Sequence, residues 1–207
     1  MRHPKSKFRI PTRTLVFTAL MTALVTTATV TLGFRTGDFF FNCGDAVIFI
    51  TAAMFGPLPA AVAGGLGSFF ADLAVYPATM FFTLFVKGIE GLVCGLLMKL
   101  LCRRRKFLDF AGGTISMTVA GATMMTGYFV CNTYFYGTPA SGIAALPADA
   151  VQAAISVAIA VAVLYVMRLV DLRERFGLSR TDFDKKLHSQ EYIRIPRQND
   201  EKEELPS

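Results

Sequence analysis

A chain of 207 residues has the length of about one soluble domain, but 53% of this one is hydrophobic and its mean hydropathy is +0.48. Nearly charge-free runs recur that are long enough to cross hydrocarbon, for which about 20 apolar residues suffice, and this excludes a soluble globular fold. The net charge of +6 and pI near 9.3 sit almost entirely at the two ends and in one short loop, which excludes a nucleic-acid-binding face.

Six apolar segments follow in chain order, at about 14–34, 40–55, 58–74, 79–101, 110–135 and 147–168. They are separated by Gly-Asp, Gly-Pro, Tyr-Pro, an arginine cluster and Gly-Thr-Pro, all of them breaker signals. The first has a basic lead, "MRHPKSKFRIPTRTLVF", but is too long for a signal-peptide core and reads as a retained helix. The second and third are short and joined through "FGPLP", so either two spans or a re-entrant hairpin satisfies the pattern. From about Asp171 the chain turns polar and ends "RQNDEKEELPS", too poor in apolar residues to bury a core. The expected organisation is a transmembrane domain over 1–170 and a partly disordered cytoplasmic tail over 171–207.

Orientation follows from Lys and Arg in short loops, which stay on the cytoplasmic side. One group (Arg2, Lys5, Lys7, Arg9, Arg13) precedes the first segment, a second (Lys99, Arg103, Arg104, Arg105, Lys106) follows the fourth, and a third (Arg168, Arg173, Arg175) follows the sixth; the opposite loops carry only Arg35. The expected fold is an all-α membrane protein, a six-transmembrane-helix bundle with both termini cytoplasmic, in a prokaryotic plasma membrane.

That topology sets the depth of each unusual polar residue, at about 1.5 Å per residue. Lys87 falls about 12 Å below the outer end of the fourth segment and Glu90 about 16 Å. Asn42 and Asp45 open the second segment, Asp72 and Tyr76 close the third, and Tyr128, Asn132 and Tyr136 recur every four residues near the outer end of the fifth. Asp149 and Gln152 open the sixth. All converge on the outer half of the membrane, where ionisable groups facing lipid cost several kcal/mol and therefore face an interior or a wet cavity. A cavity lined by aromatics and a few oriented polar groups suits a small polar molecule.

Each residue also has a plainer use. Asp45 and Asp149 at helix starts are suited to capping, Lys87 and Glu90 to a self-compensating i,i+3 pair, and the tyrosines to an interfacial belt. Ala60, Gly64 and Ser68, and likewise Gly88, Gly91 and Gly95, form small faces suited to close helix packing; Ala19 and Ala23 make a similar pair that serves either packing or a partner. His3 and His188 lie outside the apolar segments, the four cysteines (Cys43, Cys94, Cys102, Cys131) lack metal-ligand spacing, and no GxxxxGK[ST] loop is present. No cofactor, catalytic residue or metal site is expected.

The stretches "NCGDAVIFITAAMFGPLPAAVAGGLGSFFADL" (42–73) and "YPATMFFTLFVKGIEGLVCGLL" (76–97) resemble the substrate-binding S components of energy-coupling factor (ECF) vitamin transporters, in particular the riboflavin-type or unassigned subfamily. The likeness extends over about 14–170. It implies a non-enzymatic S component of an ECF-type ABC importer that captures a vitamin or its precursor in an outward-facing pocket. It also implies pocket closure by the loops at about 35–43 and 72–78, and partnership with a T transmembrane protein and two cytoplasmic ATPases. Ala19 and Ala23 match the family's AxxxA docking motif, whereas Pro59 departs from its small-residue pattern after the Gly-Pro turn. The resemblance leaves the vitamin open: a Lys87 free of Glu90 favours an anion such as pantothenate, and a paired Lys87 favours a neutral heteroaromatic such as riboflavin, a pyridoxine-like compound or a hydroxymethylpyrimidine. A solitary ATPase-independent facilitator or channel, and an enzyme of lipid or isoprenoid metabolism, are the alternative functions.

Overall fold

The computed structural model describes residues 12–36, 39–102 and 106–166; the basic N-terminus, the arginine cluster and the tail from Asp171 on lie outside the described residues. Helix α1 (Thr12–Thr31) leads through a two-stranded antiparallel hairpin, β1 (Phe34–Thr36) and β2 (Phe39–Phe41), into α2 (Gly44–Phe55) and α3 (Pro57–Val75). A 3₁₀ turn (Pro77–Thr79) precedes α4 (Met80–Leu101), which is followed by α5 (Lys106–Tyr136) and α6 (Pro139–Val161), the last extended by a π turn over Ala162–Val166. All helices but α2 are long and apolar enough to cross a membrane, and their outward faces carry large apolar side chains such as Leu20, Phe85, Ile89 and Ile155. The protein is a multi-pass membrane protein built as an all-α bundle.

Three details differ from the sequence reading. The first apolar segment ends as a helix at Thr31, because Phe34–Thr36 and Phe39–Phe41 pair in the register Phe34↔Phe41, Arg35↔Phe40 and Thr36↔Phe39. The second contributes only a 12-residue helix, about 18 Å long and well short of the roughly 30 Å hydrocarbon core. The sixth begins at Pro139, eight residues before the expected 147, with Gly137 in a positive-φ conformation (71°) ahead of it. Pro147 lies inside this helix rather than at its start, and membrane helices tolerate such prolines when neighbours re-satisfy the backbone. The α2–α3 connection is the single residue Gly56, at φ 90°. Pro57 takes the first helical position, where a missing N–H costs nothing, and Pro59 is buried within the first turn.

Close packing follows the small residues. Helix α3 packs most extensively against α4; a Cβ on Gly91 would collide with the Ala60 carbonyl, and one on Gly95 with the Pro57 backbone. The α3 and α4 stripes are therefore internal packing faces. Along α1, Thr18, Thr22, Thr26, Thr27 and Thr31 each donate to the carbonyl four residues back at 2.7–3.0 Å, which keeps their hydroxyls satisfied in an apolar surround. Thr26 also reaches Gly67 O at 2.9 Å and ties α1 to α3. Ala19 and Ala23 lie exposed on the outer face of α1, so they do not serve packing within this chain.

The apolar core, including Phe49, Ala60, Cys94, Met98, Met117, Ala160 and Leu164, occupies the half of the bundle holding the end of α2, the start of α3 and the end of α4. Gly91→Val is expected to lower the unfolding free energy of the detergent-solubilised protein, and with it the midpoint, by the upper end of the usual overpacking cost, about 1–3 kcal/mol, because the obstructing atoms are backbone. Ala19→Leu should stay within about 0.5 kcal/mol of the parent; equal midpoints for the two variants would contradict the observed packing.

Candidate functional site

The shortness of α2 creates the site. Its first turn starts at the depth of the third turn of α4 and the fourth turn of α6, since Asp45 meets Lys87 and Gln152 there. The five longer helices continue past that level, and between them lies a cavity of about 200 Å³. Its wall takes residues from the last turns of α1, α3 and α5 and the opening turns of α4 and α6.

Of the eleven polar residues singled out in the sequence, eight line this cavity: Asn42, Asp72, Tyr76, Lys87, Tyr128, Asn132, Asp149 and Gln152. Lys87 and Asn132, on different helices, face the same space. Asp45 and Glu90 are fully buried beneath it rather than in its wall. The side chain of Tyr136 lies outside the described residues. Sequence reasoning missed Thr29, Ser68, Thr79 and Thr83, and treated Cys131 only as a small hydrophobe, yet all five line the cavity. A usable signal existed for two of them: Thr79, Thr83 and Lys87 recur at four-residue spacing on one helical face.

The floor is a charged layer. Lys87, 1% exposed, donates to Asp45 Oδ1 and lies 3.2 Å from Glu90 Oε2; both carboxylates are 0% exposed. The approach to Glu90 is a charge contact rather than a directed hydrogen bond, since neither Glu90 oxygen has a hydrogen-bond partner among the described residues. The ammonium also sits 5.4 Å from the centre of the Tyr128 ring, within cation–π range. The i,i+3 pair is thus not self-contained: α2 supplies a second anion.

Gln152 completes the layer by donating Nε2 to Asp45 Oδ2 at 2.7 Å and accepting from the Asn42 backbone N–H on Oε1 at 3.2 Å. Asn42 Oδ1 in turn accepts from Gly44 N at 2.9 Å. The start of α2 is therefore held by Asn42 and Gln152, while the Asp45 carboxylate goes to Lys87 and Gln152 instead of to backbone donors. The capping reading of Asp149 fails outright, because the residue lies ten positions inside α6. Asp72 stands near the C-terminal end of α3, where a carboxylate is disfavoured by the helix dipole, and accepts from Thr79 Oγ1 at 3.5 Å. Among the described residues, no group of three metal-ligating side chains occurs.

Comparison with known proteins agrees with this architecture. Residues 9–169 match the family described as "ECF-type riboflavin transporter, S component", and the chain belongs to that family. It is 32% identical to an uncharacterized protein of Pyrococcus woesei over 144 residues, 70% of this chain and 93% of that protein. It is also 35% identical to a protein named thiamine precursor transporter HmpT, from Lactococcus lactis subsp. cremoris, over 109 residues, covering 52% of this chain and 57% of HmpT. The protein is accordingly a membrane component of vitamin transport and not an enzyme.

Removing one member of a buried ion pair strands the others, at a cost of about 3–5 kcal/mol. Lys87→Met should destabilise the protein by that order in detergent unfolding, and adding Glu90→Gln should recover part of the loss by removing one stranded charge. A double variant no more stable than Lys87→Met would show that Glu90 is not a partner.

Proposed function

We propose that this chain captures a neutral, single-ring nitrogen heteroaromatic vitamin or vitamin precursor from outside the cell and passes it inward as the S component of an ECF importer. The observation carrying this reading is the cavity itself, with an ammonium at its floor whose charge is already met by two carboxylates. Among the described residues, four acidic side chains in and beneath the cavity (Asp45, Asp72, Glu90, Asp149) stand against the one ammonium of Lys87, which is already bound to Asp45, so an anion such as pantothenate meets no uncommitted cation there. Tyr76 and Tyr128 in the wall supply flat apolar surface for a ring.

Size separates the neutral candidates. Pockets for drug-sized ligands run about 300–1,000 Å³, and this one, near 200 Å³, suits a hydroxymethylpyrimidine or a pyridoxine-like ring better than the three fused rings and polyol chain of riboflavin. The name of the Lactococcus relative, a thiamine precursor transporter, points the same way; the family description, which names riboflavin, favours the larger ligand. The outward direction rests on charge: Arg13 at the start of α1 and Lys99 in the last turn of α4 lie at the end of the bundle away from the cavity, and such residues stay cytoplasmic. Nothing in the sequence hydrolyses nucleotide through a phosphate-binding loop, so the energy for release comes from partners, a T protein and two ATPases, with exposed Ala19 and Ala23 as the T-protein contact.

Calorimetry on purified protein without nucleotide tests this. A single-ring compound should bind one to one and more tightly than riboflavin, pantothenate should not bind, and Asn132→Ala should weaken binding at least tenfold, about 1.4 kcal/mol. Tighter binding of riboflavin would overturn the size argument, and binding of pantothenate the charge argument. Ala19→Leu with Ala23→Leu should leave affinity unchanged while abolishing uptake and T-protein copurification; uptake persisting in cells without ECF ATPases would instead mark a solitary facilitator.

A further inference from the structure

Most polar atoms at the cavity floor are spoken for, which makes the exceptions informative. Lys87, Asp45, Gln152 and Asn42 bond one another. Two cavity-lining side chains keep a buried oxygen with no hydrogen-bond partner among the described residues: Oδ2 of Asp149 on α6 and Oγ1 of Thr29 on α1. Thr29 is only 4% exposed. It does not spend its hydroxyl on its own helix, unlike Thr18, Thr22, Thr26, Thr27 and Thr31. A buried polar atom left unpaired is costly, by roughly 1–3 kcal/mol, so two of them on side chains that line one cavity call for a complementary guest.

We propose that Asp149 is the specificity-determining residue of this cavity, accepting an N–H from an amino-substituted ring, with Thr29 on α1 meeting the ring's polar edge. The proposal rests on the capture of a single-ring heteroaromatic argued above and names the functional group it must carry. A carboxylate oxygen only accepts. A ring bearing an exocyclic amine satisfies it, whereas the corresponding pyrimidinone sets a carbonyl oxygen against the carboxylate at that position and keeps a donor only on its ring nitrogen, displaced from the amine's place. Sites built around a buried hydrogen bond reject the analogue lacking it far more strongly than apolar contacts discriminate size. Thr29, whose hydroxyl both donates and accepts, tolerates either a ring nitrogen or a hydroxymethyl group. The close approach of Gly44 to Thr29 and Asn42, where any Cβ would collide with both side chains, holds that wall in place.

The test is a pair of probes, 4-amino-5-hydroxymethyl-2-methylpyrimidine and the pyrimidinone with oxygen in place of the amine, measured by calorimetry on the full-length protein in detergent. The parent should prefer the aminopyrimidine at least tenfold. Asp149→Asn, which keeps the shape and adds a donor, should abolish or reverse that preference, while Thr29→Val should weaken both probes and leave their order unchanged. Because the readout is an order of two ligands on one protein, a general loss of stability cannot imitate it. An Asp149→Asn variant with the parental preference overturns the assignment but leaves capture of a single-ring compound standing. Failure of the parent to bind either probe overturns the assignment, and failure to bind a pyridoxine-like ring as well overturns the single-ring reading on which it rests.

Discussion

The fold turns on a buried ammonium between two buried carboxylates. Taking Lys87, Asp45 and Glu90 out of water costs several kcal/mol per ion, and attraction repays this only when geometry is good and the remaining groups are bonded. The chain meets that condition for Lys87 and Asp45 with residues from three helices: α4 carries Lys87, α2 brings Asp45, and α6 sends Gln152 to the second oxygen of Asp45, while Glu90 adds its charge 3.2 Å from the ammonium without a hydrogen bond. A slip of one turn, about 5.4 Å, in any of them would strand a charge in an apolar interior. Apolar packing tolerates many registers, and this layer tolerates one.

The charged layer also divides the bundle. On one side of it lies the dry core of Phe49, Cys94, Met98, Met117 and Leu164, and on the other the cavity. The shortness of α2 sets that boundary, since the helix starts only where the layer begins and leaves the space beyond it to the cavity. The Gly and Ala faces of α3 and α4 compensate on the other side, letting those two helices approach closely enough to close the wall. An empty quadrant and a very tight neighbouring pair are thus two parts of one arrangement.

Much of this was legible in the sequence because a membrane leaves polar residues few places to go. Six apolar runs, the Lys and Arg distribution, the depth of Lys87 and the four-residue spacing of Tyr128 and Asn132 sufficed to bring eight separated residues to one cavity. The sixth helix was misplaced because Pro147 and the Gly-Thr-Pro break both read as starts, and only the earlier one is; the error made Asp149 look like a cap. The hairpin at 34–41 was hidden inside an aromatic run, "FFF", that reads equally as helix or strand. Thr29 was invisible for a different reason. A membrane threonine ordinarily bonds its own helix, as five on α1 do, and nothing in the composition distinguishes the one that does not.

That distinction separates structure from recognition within a single site. Lys87, the residue whose place in an apolar run first demands explanation, contributes its charge to holding α2, α4 and α6 together and has little left to offer a guest. Among the described residues, the cavity-lining side chains that keep a buried oxygen without a partner are Thr29 and Asp149, which stand outside the bonded network of Lys87, Asp45, Gln152 and Asn42. A frame stabilised by one layer and read by another can present different ligand-facing groups on the same bundle. Shared fold therefore says little about cargo, and the identity of the cargo has to be argued from the groups whose bonding the protein itself leaves incomplete.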